Sequence, residues 1–221
     1  MNEVVFLIDV DNTLLDNDRV QNDLREHLEH EFGAKARERY WRIFDELFET
    51  LGYADYLGAL QRYRIGELTD PRLLRMSSYL LDYPFADRLY PGALDTVAHL
   101  RKWGPTVILS DGDAVFQPRK IQRSGIWDAV EGRVLVYIHK EEMLDDIRRH
   151  YPARRYVMID DKLRILAAMK KTWGPALTTV FPRQGHFALD PQAVLAYPAA
   201  DVTVETIGEL ARFERSALLA T

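Results

Sequence analysis

The sequence predicts an α/β fold in which helices cover both faces of a parallel sheet, and three observations support this prediction. Apolar runs rich in β-forming residues recur along the chain and stop at polar or charged clusters. Helical patterns lie between these runs, which is typical of right-handed βαβ units. One stretch breaks the alternation because it contains helical patterns alone, and it therefore indicates an inserted all-helical segment.

The apolar runs give the expected strands of this sheet. They cover residues 4–8, 106–109, 134–137 and 156–159, with shorter strands at 177–181 and 202–204. Helices are expected over 91–103 and 163–173, because Gly104 and Gly174 stand where a C-terminal cap belongs. A last helix is expected over 207–219. These last elements are expected to complete the sheet and to pack against it.

The predicted insertion consists of successive amphipathic helices. Asp18 is expected to cap a helix that ends at Gly33, and a second helix is expected to end at Gly52. Asp70 and Pro71 are expected to begin a further helix as its N-cap and first residue. An aromatic stripe on the second helix could line a ligand pocket, but packing against other helices is expected because periodicity alone explains it; its members are Tyr40, Trp41, Phe44, Leu47, Phe48 and Leu51. The predicted division is a core of residues 1–16 and 88–221 and a helical domain of residues 17–87.

Composition limits the classes of partner. With 221 residues and 47% hydrophobic composition, the chain can bury a sizeable core. The chain has 29 basic and 34 acidic residues, a formal net charge of -5, so no broad positive surface for a nucleic acid is expected. Cysteine is absent, which excludes disulfides and thiolate chemistry. No stretch is long enough for a membrane span or a signal sequence. A cytoplasmic monomer or homodimer is expected.

Acidic residues follow two of the predicted strands. Asp9 and Asp11 follow the first strand, and Asp160 and Asp161 follow the strand at 156–159. The carboxyl ends of parallel strands share one edge of a sheet, so these side chains are expected to converge on one crevice. Carboxylates brought together repel each other unless protons or a cation intervene, and oxygen ligands suit Mg²⁺. The pattern therefore predicts a magnesium site.

Three further residues at strand ends suit the binding of a phosphate. Ser110 offers a hydroxyl donor, and Gly112 allows a close approach of the backbone with its amide hydrogens. Lys140 offers a point positive charge. Each residue type is common on its own, and the shared position at the strand ends is what supports a functional interpretation.

The order of these residues resembles that of the haloacid dehalogenase-like (HAD) hydrolase superfamily. The superfamily's first signature, Asp-x-Asp-x-Thr after an apolar strand, stands here as Asp9-Val10-Asp11-Asn12-Thr13. Ser110 matches the second motif, Lys140 the third, and the pair Asp160 and Asp161 the fourth. The helical insertion lies where one subfamily carries a helical cap. The resemblance implies a three-layer, Rossmann-like core with a cap that shapes substrate choice.

By this resemblance the protein would be a Mg²⁺-dependent phosphoric monoester hydrolase acting on a small phosphorylated metabolite. Asp9 would attack phosphorus and form an aspartyl phosphate, and Asp11 would act as general acid and then as general base. Ser110 and Lys140 would hold the phosphate oxygens. The metal would be bound by the Asp9 side chain, the Asp11 backbone carbonyl and Asp161, with Asp160 close by. Asn12, Asp111 and Gly112 are further candidates for substrate binding.

The sequence departs from the superfamily's pattern at two positions. The third-motif lysine is often followed by proline, whereas Glu141 follows Lys140, and Lys120 is the competing lysine. Lys120 is interpreted as an exposed helix lysine, which favours Lys140. His186 is interpreted as a surface histidine. Ile165 stands where related proteins often carry a polar residue.

The same motif residues bear on three alternatives to a phosphatase. A phosphomutase would employ the same residues and differ in how water is excluded from the phosphoenzyme. A dehalogenase would need no proton donor for a halide, so Asp11 argues against it. A non-catalytic module would be expected to have lost the nucleophile or the metal-binding aspartates, and all of them are present.

Overall fold

The computed structural model of the protein describes residues 1–219 and contains one six-stranded sheet in which every pair of neighbouring strands is parallel. The strands are β1 (Asn2–Ile8), β2 (Thr106–Asp111), β3 (Val134–Tyr137), β4 (Ala153–Ile159), β5 (Leu177–Pro182) and β6 (Val202–Val204), in the spatial order β3-β2-β1-β4-β5-β6. This confirms the predicted α/β fold. Since β1 lies between β2 and β4, the first strand occupies the centre of the sheet.

Twelve helices are described. They are α1 (Asn17–Phe32), α2 (Ala34–Leu51), α3 (Tyr56–Arg64), α4 (Arg72–Asp82), α5 (Ala93–Leu100), α6 (Phe116–Arg123), α7 (Ile126–Ala129), α8 (Leu144–His150), α9 (Leu163–Trp173), α10 (Gly185–Leu189), α11 (Pro191–Leu195) and α12 (Arg215–Leu219). Short 3-10 helices cover Phe85–Arg88, Lys140–Glu142, Gly174–Ala176 and Ile207–Arg212. No helix within residues 1–219 combines the length and the apolar character needed to cross a bilayer.

The side chains of β1 alternate between two apolar clusters, one on each face of the sheet. Val4, Phe6 and Ile8 belong to a cluster that also contains residues of α1 to α6. Val5 and Leu7 belong to a cluster formed with α8 and α9. Because all five side chains are buried, this strand has the continuous apolar sequence of a strand covered on both faces. The sheet is therefore the middle of three layers.

Residues 17–87 contain helices and no strand. We call this stretch the helical segment; its role as a cap stays a prediction. Tyr40 on α2 is buried, and its hydroxyl donates to the carbonyl of Tyr56 on α3 at 2.8 Å. Trp41 packs edge-on against Phe44. The ring of Phe44 also packs against that of Tyr56, with ring centres 4.8 Å apart, so aromatic packing joins α2 to α3.

The helical segment differs from the expectation at two helix starts. Asp16 caps α1 by accepting from the amide of Arg19 at 2.9 Å, so the assignment of Asp18 as the cap was wrong. Helix α4 begins at Arg72, whose amide donates to the Asp70 carboxylate at 2.9 Å. In both cases an aspartate accepts from a free amide of the first helical turn, as an N-cap residue does. The first residue of each helix differs from the expected one.

Two predicted core helices are also shorter than expected. Helix α5 ends at Leu100, and Gly104 does not cap it. A β-carbon at Gly104 would lie 2.3 Å from the carbonyl oxygen of Val4, so glycine is needed there for close packing against β1. The last predicted helix is divided, because Phe213 adopts an extended conformation between a 3-10 helix and α12.

Candidate active site

Three buried carboxylates meet at the carboxyl ends of β1 and β4. Asp9 follows β1, and its amide donates to the carbonyl of Ile159, the last residue of β4, at 3.0 Å. Asp160 and Asp161 follow β4 directly. Ligand oxygens of these three residues all lie within 4.8 Å of one another. Only 3% of Asp9, 0% of Asp160 and 1% of Asp161 is exposed. The strand ends thus bring together three of the four aspartates that the sequence singled out, and we call these three the acidic cluster.

Lys140 provides a positive charge inside this cluster. Its Nζ lies 2.5 Å from Oδ1 of Asp9 and 2.7 Å from Oδ2 of Asp160. Burial alone would lower the pKa of Lys140, but the charges of Asp160, Asp9 and Asp111 raise it above its usual value. The side chain, which is 2% exposed, therefore stays an ammonium ion paired to Asp9.

The acidic cluster fits a hard cation. Oδ2 of Asp9 and both carboxylate oxygens of Asp161 are buried without a hydrogen-bond partner. Burial raises the pKa of Asp161 well above its usual value, and the charges of Asp160 and Asp9 add to the increase. Buried carboxylate oxygens without donors suit an oxygen-binding ion such as Mg²⁺.

Replacing Asp161 with asparagine tests this explanation. In metal-free buffer near neutral pH the variant should be more stable than the parent by about 1 kcal/mol or more, because an unpaired buried charge is removed. The folded-state pKa of Asp161 lies above its unfolded value of about 3.9, so its contribution to stability is lost as pH rises through the folded pKa. Thermal unfolding across pH should therefore show a weaker pH dependence for Asp161→Asn. An unchanged profile would contradict the assignment.

Asp11 lies in a separate ion pair. Its Oδ1 is 2.6 Å from Nζ of Lys120, which also donates to Oδ1 of Asn17 at 3.0 Å. Lys120 is 0% exposed, so its interpretation as an exposed helix lysine was wrong. Helix α6 presents it beside the rings of Phe116 and Tyr56, with Nζ 5.4 and 6.0 Å from the ring centres. Lys140 and Lys120 thus pair with different aspartates of the first motif.

The burial of Lys120 predicts a large effect on stability. Lys120→Met keeps the apolar stem but leaves Asp11 without its cationic partner, which should cost on the order of 2–3 kcal/mol. The matched control is Lys171→Met, because Lys171 is an exposed lysine on α9 and its loss should change stability by less than about half a kcal/mol. Denaturant unfolding of both variants measures the difference. Equal stabilities would show that the ion pair contributes nothing.

Ser110, Asp111 and Gly112 form hydrogen bonds with other groups of the protein. Ser110 is 1% exposed, and its Oγ accepts from Nε2 of Gln117 at 2.9 Å; the same Nε2 donates to Oδ2 of Asp11 at 3.3 Å. Asp111 accepts from the backbone amide of Lys140 at 2.8 Å and so positions that lysine. Burial raises the pKa of Asp111 to about 6. The amide of Gly112 donates to the carbonyl of Tyr137 and is therefore already paired, while substrate binding at Gly112 stays a prediction.

The remaining residues of the first motif hold the site together. The side-chain carbonyl of Asn12 accepts from the amides of Asn17 and Asp18, at 3.0 and 3.2 Å. Its amide group donates to the Asp18 carboxylate at 2.9 Å, so Asn12 anchors the start of α1. Oγ1 of Thr13 accepts from the amide of Asp161 at 3.1 Å and thereby joins the loop after β1 to the end of β4.

The comparison with protein families agrees with this geometry. The model of the haloacid dehalogenase-like hydrolases matches residues 4–171, which include every residue of the acidic cluster, Lys120 and Lys140. The chain belongs to this family of hydrolases. None of the curated proteins matches it at a significant level.

Solved structures of other HAD-like hydrolases share the fold. A haloacid dehalogenase-like hydrolase from Burkholderia xenovorans LB400 is 66% identical, with a TM-score of 0.92, and the match covers 97% of this chain and 100% of that one. The L-2-haloacid dehalogenase from Xanthobacter autotrophicus is 19% identical, with a TM-score of 0.61 and coverages of 96% and 98%. The HAD-hydrolase YfnB from Bacillus subtilis, solved with bound magnesium, is 15% identical, with a TM-score of 0.60 and complete coverage of both chains. The last two show the fold alone.

An open cleft of about 800 Å³ lies over the active site of this HAD-like hydrolase. Asp11, Asn12 and Asp111 line the part of the cleft next to the first motif, which we call its floor, and Phe44 and Phe48 of α2 line the cleft as well. Two members of the aromatic stripe therefore border a pocket, contrary to the expectation of helix packing alone. The helical segment and the core both contribute to the walls.

Sequence reasoning missed Lys162 and the role of His186 in this hydrolase. Lys162 follows Asp161 and lines the cleft. Burial lowers its pKa, but the charges of Asp161, Asp9 and Asp160 raise it more. His186 is exposed, as expected, and its Nδ1 lies 2.6 Å from Oδ1 of Asp18, which links α10 to the helical segment. A basic residue next to a motif aspartate was the available signal for Lys162.

Ile165 shows what replaces a polar residue in this family member. Its side chain is 1% exposed and belongs to the apolar cluster of α9 and the sheet. This position therefore contributes packing and no polar contact to the active site.

Proposed function

We propose that this HAD-like hydrolase is a Mg²⁺-dependent phosphoric monoester hydrolase that works through an aspartyl phosphate on Asp9. The acidic cluster carries the proposal, because it offers buried carboxylate oxygens without hydrogen-bond partners beside the nucleophile. A carboxylate that attacks carbon and displaces a halide needs no cation. A carboxylate that attacks a phosphate dianion must overcome the repulsion of like charges.

The residues around Asp9 would divide the first step among them. A carboxylate oxygen of Asp9 forms a bond to phosphorus as the bond between phosphorus and the leaving oxygen breaks. Lys140 orients Asp9 through the contact at 2.5 Å and offsets negative charge. Ser110 would donate to a phosphate oxygen. A magnesium ion held by Asp9, Asp161 and the Asp11 backbone carbonyl, with Asp160 nearby, would supply further neutralisation of the phosphate charge.

Asp11 would transfer the protons of both steps. Lys120 contacts Oδ1 of Asp11 at 2.6 Å, whereas Gln117 contacts Oδ2 at the longer distance of 3.3 Å, so Oδ2 is the oxygen that would deliver a proton to the leaving group. In the second step the Asp11 carboxylate would take a proton from water as that water attacks phosphorus. The bond from phosphorus to Asp9 then breaks, and this releases inorganic phosphate and restores the Asp9 carboxylate.

The test is a panel of phosphorylated metabolites and 2-haloacids, assayed with magnesium and again after chelation. We expect release of inorganic phosphate with magnesium and a loss of at least about 100-fold after chelation. Magnesium should also raise the melting temperature by binding the native state, and Asp161→Asn should weaken that effect. Calcium should bind without comparable turnover, because its looser coordination misplaces the reacting groups. Halide release that persists after chelation, with no phosphate release, would identify a dehalogenase instead.

A phosphomutase would use the same residues, and the acceptor distinguishes it. For the proposed hydrolase, the phosphoryl group should go to water even when an excess of a second alcohol or sugar phosphate is present. Stoichiometric appearance of inorganic phosphate is the measurement. Transfer to the added acceptor would replace the hydrolase assignment by a phosphotransferase.

A further inference from the structure

The cleft over the acidic cluster contains an unusual share of the exposed aromatic surface. Across residues 1–219, three Phe, Tyr or Trp residues are more than a third exposed: Phe48 at 45%, Phe187 at 38% and Tyr197 at 38%. All three line this one cleft. They come from two parts of the chain, because Phe48 belongs to α2 of the helical segment and the other two belong to the core. Exposed aromatic rings that converge on one concavity indicate a surface that is covered when a ligand binds.

The size of the cleft decides against a very small leaving group. A volume of about 800 Å³ lies in the upper part of the range of about 300–1,000 Å³ typical of pockets for larger ligands. A phosphate group needs only the floor beside Asp11 and Asp111. The remaining space, bordered by Phe48 and Phe187, would be filled by water if the ester carried a two-carbon group.

Charge in the cleft agrees with an anionic substrate that also carries a flat ring. Lys162 lines the cleft next to the acidic cluster, and its Nζ lies 4.9 Å from the centre of the Phe187 ring. A cation against the face of a ring holds that ring in place while remaining available to an anion. His139 and Arg164 also line the cleft, with Arg164 paired to Glu141 at 2.5 Å, and the acidic lining residues are Asp11 and Asp111.

From these observations we propose that the substrate is a phosphate monoester whose leaving group carries a planar aromatic ring, bound between Phe48 of the helical segment and Phe187 of the core. This proposal rests on the proposed phosphatase function. The ring lies in the cleft while the phosphate reaches the floor. Each aromatic contact adds affinity for the ring and none for the phosphate, so the preference for ring-bearing esters depends on Phe48 and Phe187 together.

Naphthylmethyl phosphate and ethyl phosphate form a suitable substrate pair, since both release a primary alcohol and differ mainly in the ring. With magnesium, kcat/KM should be at least about tenfold higher for naphthylmethyl phosphate, which corresponds to about 1.4 kcal/mol. Phe48→Ala and Phe187→Ala should each reduce this ratio by about three- to tenfold, and Phe48→Tyr should retain it. The matched control is Leu74→Ala, an exposed apolar residue of α4 outside the cleft lining, which should leave the ratio unchanged.

Acetyl phosphate separates failure of this proposal from failure of the phosphatase function, because it is reactive and too small to need the cleft. Hydrolysis of acetyl and ethyl phosphate without a preference for the ring ester would overturn the ring proposal and leave the phosphatase function standing. A ring preference that survives both alanine variants would overturn it as well. No hydrolysis of any of the three phosphates would overturn both.

Discussion

Asp9→Asn is expected to lower the turnover of phosphate esters by at least about four orders of magnitude while the protein stays folded. The amide has nearly the shape of the carboxylate but is not a nucleophile, so no aspartyl phosphate forms. Oδ1 would remain beside Lys140, which keeps its second partner, Asp160, at 2.7 Å. Steady-state phosphate release at saturating magnesium, with circular dichroism and thermal unfolding of the same sample, measures the effect.

Asp111→Asn provides the comparison for Asp9→Asn. Asp111 also lies at a strand end and accepts a backbone hydrogen bond from Lys140, but it does not attack phosphorus in the proposed mechanism. Its replacement should reduce turnover far less, through a slight misplacement of Lys140. If pure, folded Asp9→Asn protein hydrolysed esters at the parental rate, another residue would have to be the nucleophile. Labelled phosphate trapped on the parent and not on Asp9→Asn would support Asp9 directly.

Lys140→Met has the second largest expected effect. It removes the cation that contacts both Asp9 and Asp160, so kcat/KM should fall by about two orders of magnitude, or about 3 kcal/mol of transition-state stabilisation. In metal-free buffer the variant should also lose about 3 kcal/mol or more of stability, because buried carboxylates lose their partner. Magnesium should restore part of that stability by supplying positive charge to the acidic cluster. Kinetics and denaturant unfolding with and without magnesium measure both effects.

Lys140→Arg distinguishes position from charge. A planar guanidinium cannot replace a compact ammonium that touches two carboxylates, so catalysis should be rescued only in part. Lys120→Met belongs in the same experiment, because Lys120 contacts Asp11 and not Asp9. The loss of kcat/KM in Lys120→Met should depend on whether the leaving group needs a proton from Asp11. If Lys140→Met kept parental kinetics while Lys120→Met lost activity, Lys120 would have to be the lysine that contacts the transferring phosphate.

The sequence was sufficient for the sheet and for the convergence of the acidic cluster. Apolar strands that stop at aspartates leave little freedom in where the carboxylates lie, because parallel strands place their carboxyl ends at the same edge of the sheet. The positions of Asp9, Asp160 and Asp161 follow from this rule. Lys140 was placed by its motif, and the structure brings it to the same edge beside β3.

Packing between layers was not readable from the sequence. The helical pattern around Lys120 gave no sign that the helical segment covers α6, so a buried lysine looked like an exposed one. Gly112 looked free to bind phosphate because the register that commits its amide to Tyr137 depends on the pairing of β2 with β3. The periodicity of α2 predicted a packed face but could not show that Phe48 lies beyond it.

The central position of β1 has a consequence for the order of events during synthesis. β1 pairs with β2 on one side and with β4 on the other, and β4 ends at Ile159. A growing chain that has not yet reached β4 therefore carries an apolar strand with one open hydrogen-bonding edge, which invites pairing with other chains. The aspartates of the first motif interrupt this apolar sequence directly after Ile8. Asp9 and Asp11, two residues of the candidate active site, thus also have the position of charged gatekeepers against aggregation until the sheet is complete.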